Sequence, residues 1–301
     1  MGYLFLGFSL LAGITKGYCG KKLGNTTEKT FDAVLLNLVR MIFCIIIGLS
    51  LIILQGNFTF LLPNTNSLLI MAASGISTSL FVISWLLSVK VGAYMMVEVF
   101  VMISVLIPII TSSLLFSETI SLNEWIGIAL LVIAAYIMCS YNNSQSRKMS
   151  AKAFIVLLLC CFSNGLTDLM QKLFVKTAPE TPISIFNFYT YVFSTLFLIP
   201  LLFVFSKEKM NSKSNNVKST LLKSIGYIAV MSACLFIYSY FKTAAAGYLD
   251  ATQLYPLSQG SALILSTVMA TLIFKEKLTV KCVLGIATAF AGIIFINILS
   301  F

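Results

Sequence analysis

The chain has 301 residues, 59% of them hydrophobic and 10% charged, with a net charge of +10 and no histidine. Soluble domains carry about a quarter charged residues, so the composition excludes an ordinary water-soluble fold and points to a bilayer as the solvent. The missing histidine removes the commonest general base and metal ligand, so no metal and no cofactor are expected.

Ten apolar stretches follow one another, at 2–20, 31–54, 67–89, 93–116, 123–141, 152–174, 182–205, 220–243, 248–274 and 279–299. Each is long enough to cross a hydrocarbon core of about 30 Å as a helix, and such helices satisfy their own backbones and pack as one all-α bundle. The first is read as a membrane helix, because no basic segment precedes it and Lys16, Lys21 and Lys22 follow. Cys19, Cys44, Cys139, Cys160, Cys161, Cys234 and Cys282 lie in or beside the spans without a Cys-x-x-Cys pair and read as packing residues. In span 1, Gly13-x-x-x-Gly17 and Gly20-x-x-x-Gly24 offer close helix approach. The longest polar breaks are Tyr141–Ser150 and Ser206–Lys218, and the first divides the chain into 1–145 and 146–301, five spans in each.

The positive charge is a topology signal rather than a nucleic-acid surface, and no nucleic-acid partner is expected. The breaks after spans 1, 3, 5, 7 and 9 hold Lys21, Lys22, Lys29, Lys90, Arg147, Lys148, Lys152, Lys207, Lys209, Lys213, Lys218, Lys223, Lys275, Lys277 and Lys281. The opposite side holds little more than Lys172, Lys176 and Lys242. Positive loops stay in the cytoplasm, which places both termini outside a multi-pass protein of the cell membrane.

The two halves echo each other. Span 4 ends Leu114-Leu115-Phe116-Ser117-Glu118 with Gly127 nine residues on, and span 9 ends Leu272-Ile273-Phe274-Lys275-Glu276 with Gly285 nine residues on. Gly13-Ile14-Thr15 likewise matches Gly165-Leu166-Thr167. With five spans per half, the copies enter the membrane in opposite senses, the inverted-repeat architecture of secondary transporters. The Phe-x-Glu endings, their following glycines and Arg40 in span 2 resemble the EamA-type branch of the drug/metabolite transporter superfamily. That resemblance implies a ten-helix carrier of small metabolites, with a central cavity lined by spans 1, 3, 4, 6, 8 and 9 and with spans 5 and 10 at the periphery.

Ionisable groups inside a membrane are costly and mark function or fixed pairing. Glu98 lies about 8 Å and Arg40 about 13 Å inside the cytoplasmic face, and Lys16 is near the same face, so the three can share one pocket. Glu98 is either a substrate, proton or cation site or a carboxylate bridged to Arg40 or Lys16. Asn164, Asp168 and Gln171 share one face of span 6. Asp168 is expected near the outer surface, paired with Lys172 or Lys242, with Asp250 at the same level, together an outer gate. The pocket between these layers draws on Asn164, Asn187, Tyr191, Tyr238, Gln253, Tyr255 and Gln259, with Trp85 and Tyr94 either lining it or standing in the interfacial aromatic belt. Pro108 and Pro256 are expected to interrupt spans 4 and 9.

The expected function is a secondary-active or facilitative carrier, monomeric or homodimeric, moving a small polar metabolite such as an amino acid or organic cation by alternating access. Proton coupling would run through Glu98. No Walker motif is present to support direct ATP drive. The rival readings are a flippase or accessory subunit for a lipid-linked sugar, and a membrane-embedded lipid-modifying enzyme.

Overall fold

A computed structural model describes residues 1–24, 30–91, 94–118, 120–144, 151–210, 217–273, 275 and 279–297. Lys29, Arg147, Lys148, Lys213, Phe274, Glu276 and Lys277, and the side chains of Lys90, Cys139, Lys207, Lys209, Lys218, Lys223 and Cys282, lie outside the described residues. The helices are α1 (Gly2–Gly24), α2 (Thr30–Gln55), α3 (Thr65–Val91), α4 (Tyr94–Ile103), α5 (Leu106–Phe116) and α6 (Leu122–Ser144). Then come α7 (Ala151–Thr177), α8 (Ile183–Met210), α9 (Val217–Ala246), α10 (Ala251–Leu272) and α11 (Val280–Asn297), and one 3-10 turn at Asn57–Leu61. Among the described residues there is no strand.

Every expected span coincides with a helix, and span 4 alone is split in two. Six segments are long and apolar enough to cross a membrane: Thr30–Gln55, Thr65–Val89, Met96–Phe116, Ala151–Thr177, Ile183–Ser206 and Ser224–Ala246. Shorter apolar stretches occupy α6 (Leu122–Ala134) and α11 (Val283–Ile296). The remaining two helices carry more polar side chains, Lys16, Lys21 and Lys22 in α1 and Gln253, Ser258, Gln259 and Ser266 in α10. Large apolar residues such as Leu11, Ile53, Leu114, Tyr136, Phe203 and Val280 face outward, while serines, lysines and amides are buried. This is the reverse of a water-soluble protein and suits a hydrocarbon surround.

Pro108 and Pro256 behave differently. At Ser104–Val105 the α4 ladder tightens to i→i+3 bonds, Ser104 N–H to Val101 and Val105 N–H to Met102, both 3.2 Å. Pro108 then falls in the first turn of α5, where its missing N–H costs little. The break is fixed from outside by α7. A Cβ on Gly165 would meet the Ser104 carbonyl at 2.6 Å, and the Asn164 amide donates to Ser104 Oγ at 2.6 Å. By contrast α10 runs unbroken through Pro256, which corrects the expectation of a second interruption. Its neighbours Leu254, Tyr255 and Ser258 are fully buried and hold the turn in place.

Several helices pack in pairs across the chain: α2 with α8, α4 and α5 with α10, and α6 with α11. Within each such pair the helices run antiparallel. A Cβ at Gly127 would strike Ile296, whereas one at Gly292 would meet Leu131 at 3.1 Å. Asn57, just past α2, bonds Ser184, while Gly48 lies against Phe188. Glu118, after α5, reaches Ala251 at the start of α10. Off these pairs, α1 packs on α9 as α7 packs on α3. The two described non-glycine residues with positive φ are Ser117 (55°) and Lys275 (53°), the matched positions ahead of Glu118 and Glu276. Left-handed backbone is uncommon outside glycine, so its recurrence there marks the same helix ending twice.

Candidate functional site

A hollow of about 50 Å³ lies where α1, α3, α4, α7, α9 and α10 meet, the helices that the family resemblance implies. Seven of the expected residues line it: Lys16, Trp85, Tyr94, Glu98, Asn164, Tyr238 and Gln259. The glycines of α1 shape one wall. A Cβ at Gly13 would press on the Tyr238 ring at 3.3 Å, one at Gly17 would strike the Tyr94 hydroxyl, and one at Gly20 would enter the Trp85 ring at 2.5 Å. The stripe thus seats aromatic side chains rather than a neighbouring backbone. Trp85 and Tyr94 stand edge to face, with centroids 6.2 Å apart, and both are buried, so neither belongs to an interfacial belt.

The charges inside the hollow are held differently from those above it. Glu98 Oε1 accepts the Trp85 indole N–H at 3.1 Å. The Lys16 ammonium sits 4.0 Å from the Tyr238 ring centroid and 6.0 Å from that of Phe81. Among the described residues neither group forms an ion pair, with the other or with Arg40. Arg40 does not line the hollow. It is 4% exposed and donates to Asn37 Oδ1 at 3.2 Å, and its Nε is without a hydrogen-bond partner. Asn37 in turn ties Ala33 and Val82, so Arg40 belongs to the α2–α3 contact.

Above the hollow, α7 presents Asn164, Asp168 and Lys172 at successive turns of one face, spanning about 12 Å. Asp168 Oδ1 pairs with Lys242 at 2.7 Å, with side chains 3% and 0% exposed. Gln259 donates to Asp168 Oδ2 at 3.3 Å, Lys242 donates to the Tyr238 hydroxyl at 3.2 Å, and Tyr255 donates to the Asp168 carbonyl at 2.7 Å. Asp168 is therefore buried beside the hollow, where Gln259, which lines it, binds the carboxylate directly.

The next layer contains a residue that the sequence reading left out of the site. Lys172 pairs with Glu118 at 3.3 Å rather than with Asp168, and Lys176 joins at 3.6 Å. Lys172 also donates to the Leu249 carbonyl at 2.7 Å, and Glu118 Oε2 accepts the Ala251 N–H at 3.1 Å. Glu118 thus binds the orphan amide at the α10 N-terminus, where a carboxylate is favoured. Asp250 is exposed and makes no side-chain cap, but its charge acts on Lys172. The Phe-x-Glu ending flagged Glu118, but as a repeat marker.

Three pocket candidates serve packing instead. Asn187 Oδ1 accepts the Ser239 hydroxyl at 2.6 Å, and Gln171 donates to the same Ser239 at 3.3 Å. Tyr191 is buried against Met41, Cys44 and Phe236, and Tyr255 is fully buried on α7. Gln253, in the first turn of α10, is half-buried and does not line the hollow. Among the described residues no cluster of three or more His, Cys, Asp or Glu side chains is suited to a metal.

Fold and site define a multi-pass helical membrane protein with charged groups in a central hollow. Residues 151–298, just under half of the chain, match the EamA-like transporter family. An uncharacterized protein of Haemophilus influenzae is 20% identical over 191 residues, a match spanning 64% of this chain and 62% of that protein. A solved structure, titled only as a crystal structure of a protein, shares the fold with a TM-score of 0.63, 12% identity and 97% of each chain covered.

Proposed function

We propose that the protein is a secondary-active or facilitative carrier of a small polar metabolite, built from two inverted five-helix modules, residues 1–145 and 146–301. It works in the cell membrane with both termini outside, as a monomer or homodimer. The observation that carries the reading is the hollow itself: a carboxylate and an ammonium share it without pairing, in a chain just under half of which matches a transporter family. Antiparallel packing of matched helices and the repeated left-handed ending support the inverted modules. Glu98 is the group that binds substrate or carries a coupled proton. The two ion-pair layers, Asp168–Lys242 and Glu118–Lys172, form the outer gate in its closed form. At about 50 Å³ the hollow admits a few waters, so alternating access requires these layers to part.

The test is uptake by proteoliposomes of labelled amino acids, polyamines, quaternary ammonium compounds and sugars, each offered singly. Saturable flux of one class, lost in Glu98→Gln, supports the carrier. Flux no greater than in protein-free liposomes for every class, or lipid scrambling without solute flux, contradicts it.

A further inference from the structure

This inference rests on the carrier reading and names the chemistry of its ligand. Three polar groups that line the hollow each donate one N–H to the protein. The Trp85 indole N–H goes to Glu98, the Asn164 amide N–H to Ser104 and the Gln259 amide N–H to Asp168. Three acceptors there take no hydrogen bond from the protein among the described residues: the second oxygen of Glu98, Asn164 Oδ1 and Gln259 Oε1. These three acceptors, one of them a carboxylate oxygen, suit a donor-rich, positively charged guest, and ammonium offers three N–H donors with no acceptor. Aromatic faces at Tyr238, Phe81 and Trp85 favour the same guest.

A positive group already stands there. The Lys16 ammonium rests on Tyr238 at 4.0 Å with no carboxylate in contact, on a long flexible side chain that reaches in from α1. Pockets for small molecules usually measure about 300 Å³ or more, far above the 50 Å³ left open. A ligand therefore enters only if something leaves, and Lys16 has no ion pair among the described residues to hold it there. We propose that Lys16 is the site's own occupant, whose ammonium holds the place of the ligand's cationic group. The transported molecule carries an ammonium or guanidinium group that displaces Lys16 from the Tyr238 face and binds Glu98, Asn164 and Gln259. A tethered competitor is present at high effective concentration, so it filters out weak monovalent cations and releases bound ligand by returning.

The purified full chain carrying Trp125→Phe retains Trp85 as its one tryptophan, since the sequence has two, and Trp85 emission reports the hollow. Methylammonium, guanidinium and tetramethylammonium are titrated, with acetate as the anionic probe. Lys16→Met should bind the cations on the order of tenfold tighter than the parent, the scale of one desolvated cation–π contact. Lys16→Arg should stay within about twofold, because the tethered charge persists. Tyr238→Leu placed on Lys16→Met should erase the gain. Melting curves confirm that each variant is folded, and Lys16→Gln replaces Lys16→Met if the latter is not. Equal or weaker cation binding in the neutral variants overturns the proposal, as does acetate binding by the parent that vanishes with Lys16. If that result coexists with saturable proteoliposome flux, this inference falls and the carrier stands. If the folded parent moves no class of solute, the carrier reading falls.

Discussion

Two acid–lysine sets occupy neighbouring levels of one interior and are treated in opposite ways. Asp168 and Lys242 are in contact at 2.7 Å, almost completely buried, with Gln259 and Tyr238 using their remaining capacity. Glu98 and Lys16 line the adjoining hollow, half-buried and unpaired, one held by an indole and the other by a phenol ring. A buried pair with satisfied neighbours is costly to break, so the upper set holds the closed form in place. The lower set leaves charge available for a third party. On the carrier reading proposed above, the upper set keeps the gate shut and the lower set meets the ligand.

Removing one partner from the upper set should have the largest effect. Asp168→Asn strands the Lys242 ammonium in a dry site and should cost about 3–5 kcal/mol of stability, read as a fall in the detergent melting temperature. Next comes the Glu118 layer, where the two lysines should differ. Lys172→Met loses a buried charge and its bond to Leu249, a cost of about 1.5–3 kcal/mol. Lys176 is 42% exposed, so Lys176→Met should cost about 0–1 kcal/mol. Glu98→Gln keeps an acceptor for Trp85 and should melt within about 1 kcal/mol of the parent while losing flux. A last pair tests packing alone. Gly260→Ala drives a Cβ into Ile293 and should cost about 1–3 kcal/mol. Gly226→Ala meets nothing within 4 Å and should be neutral or stabilising by up to about 1 kcal/mol, the helix-propensity gain over glycine.

Much of the fold was legible in the sequence because a span is a one-dimensional property. Apolar runs bounded by polar breaks place helices to within a few residues. The Ser104–Val105 break was only half legible: Pro108 announced it, but Gly165 and Asn164 on another helix fix where it falls. Pro256 sent the same signal with no such partner, and its helix stays whole. Pairing was harder to read. The sequence offered Asp168 two lysines, one on its own helix and one on α9, and tertiary packing awarded Lys172 to Glu118 instead. Asn187 and Tyr191 look like pocket residues because amides and phenols need partners in hydrocarbon. The chain does not say that those partners are Ser239 and the carbonyl of Leu235 rather than a ligand.

The most direct test of the contrast is solute uptake by proteoliposomes containing the parent chain or Glu98→Gln, run beside melting curves of the same preparations. The account predicts saturable uptake of one solute class by the parent and at least tenfold less by a variant that melts at nearly the same temperature. A Glu98→Gln protein that carries the solute as fast as the parent would contradict it.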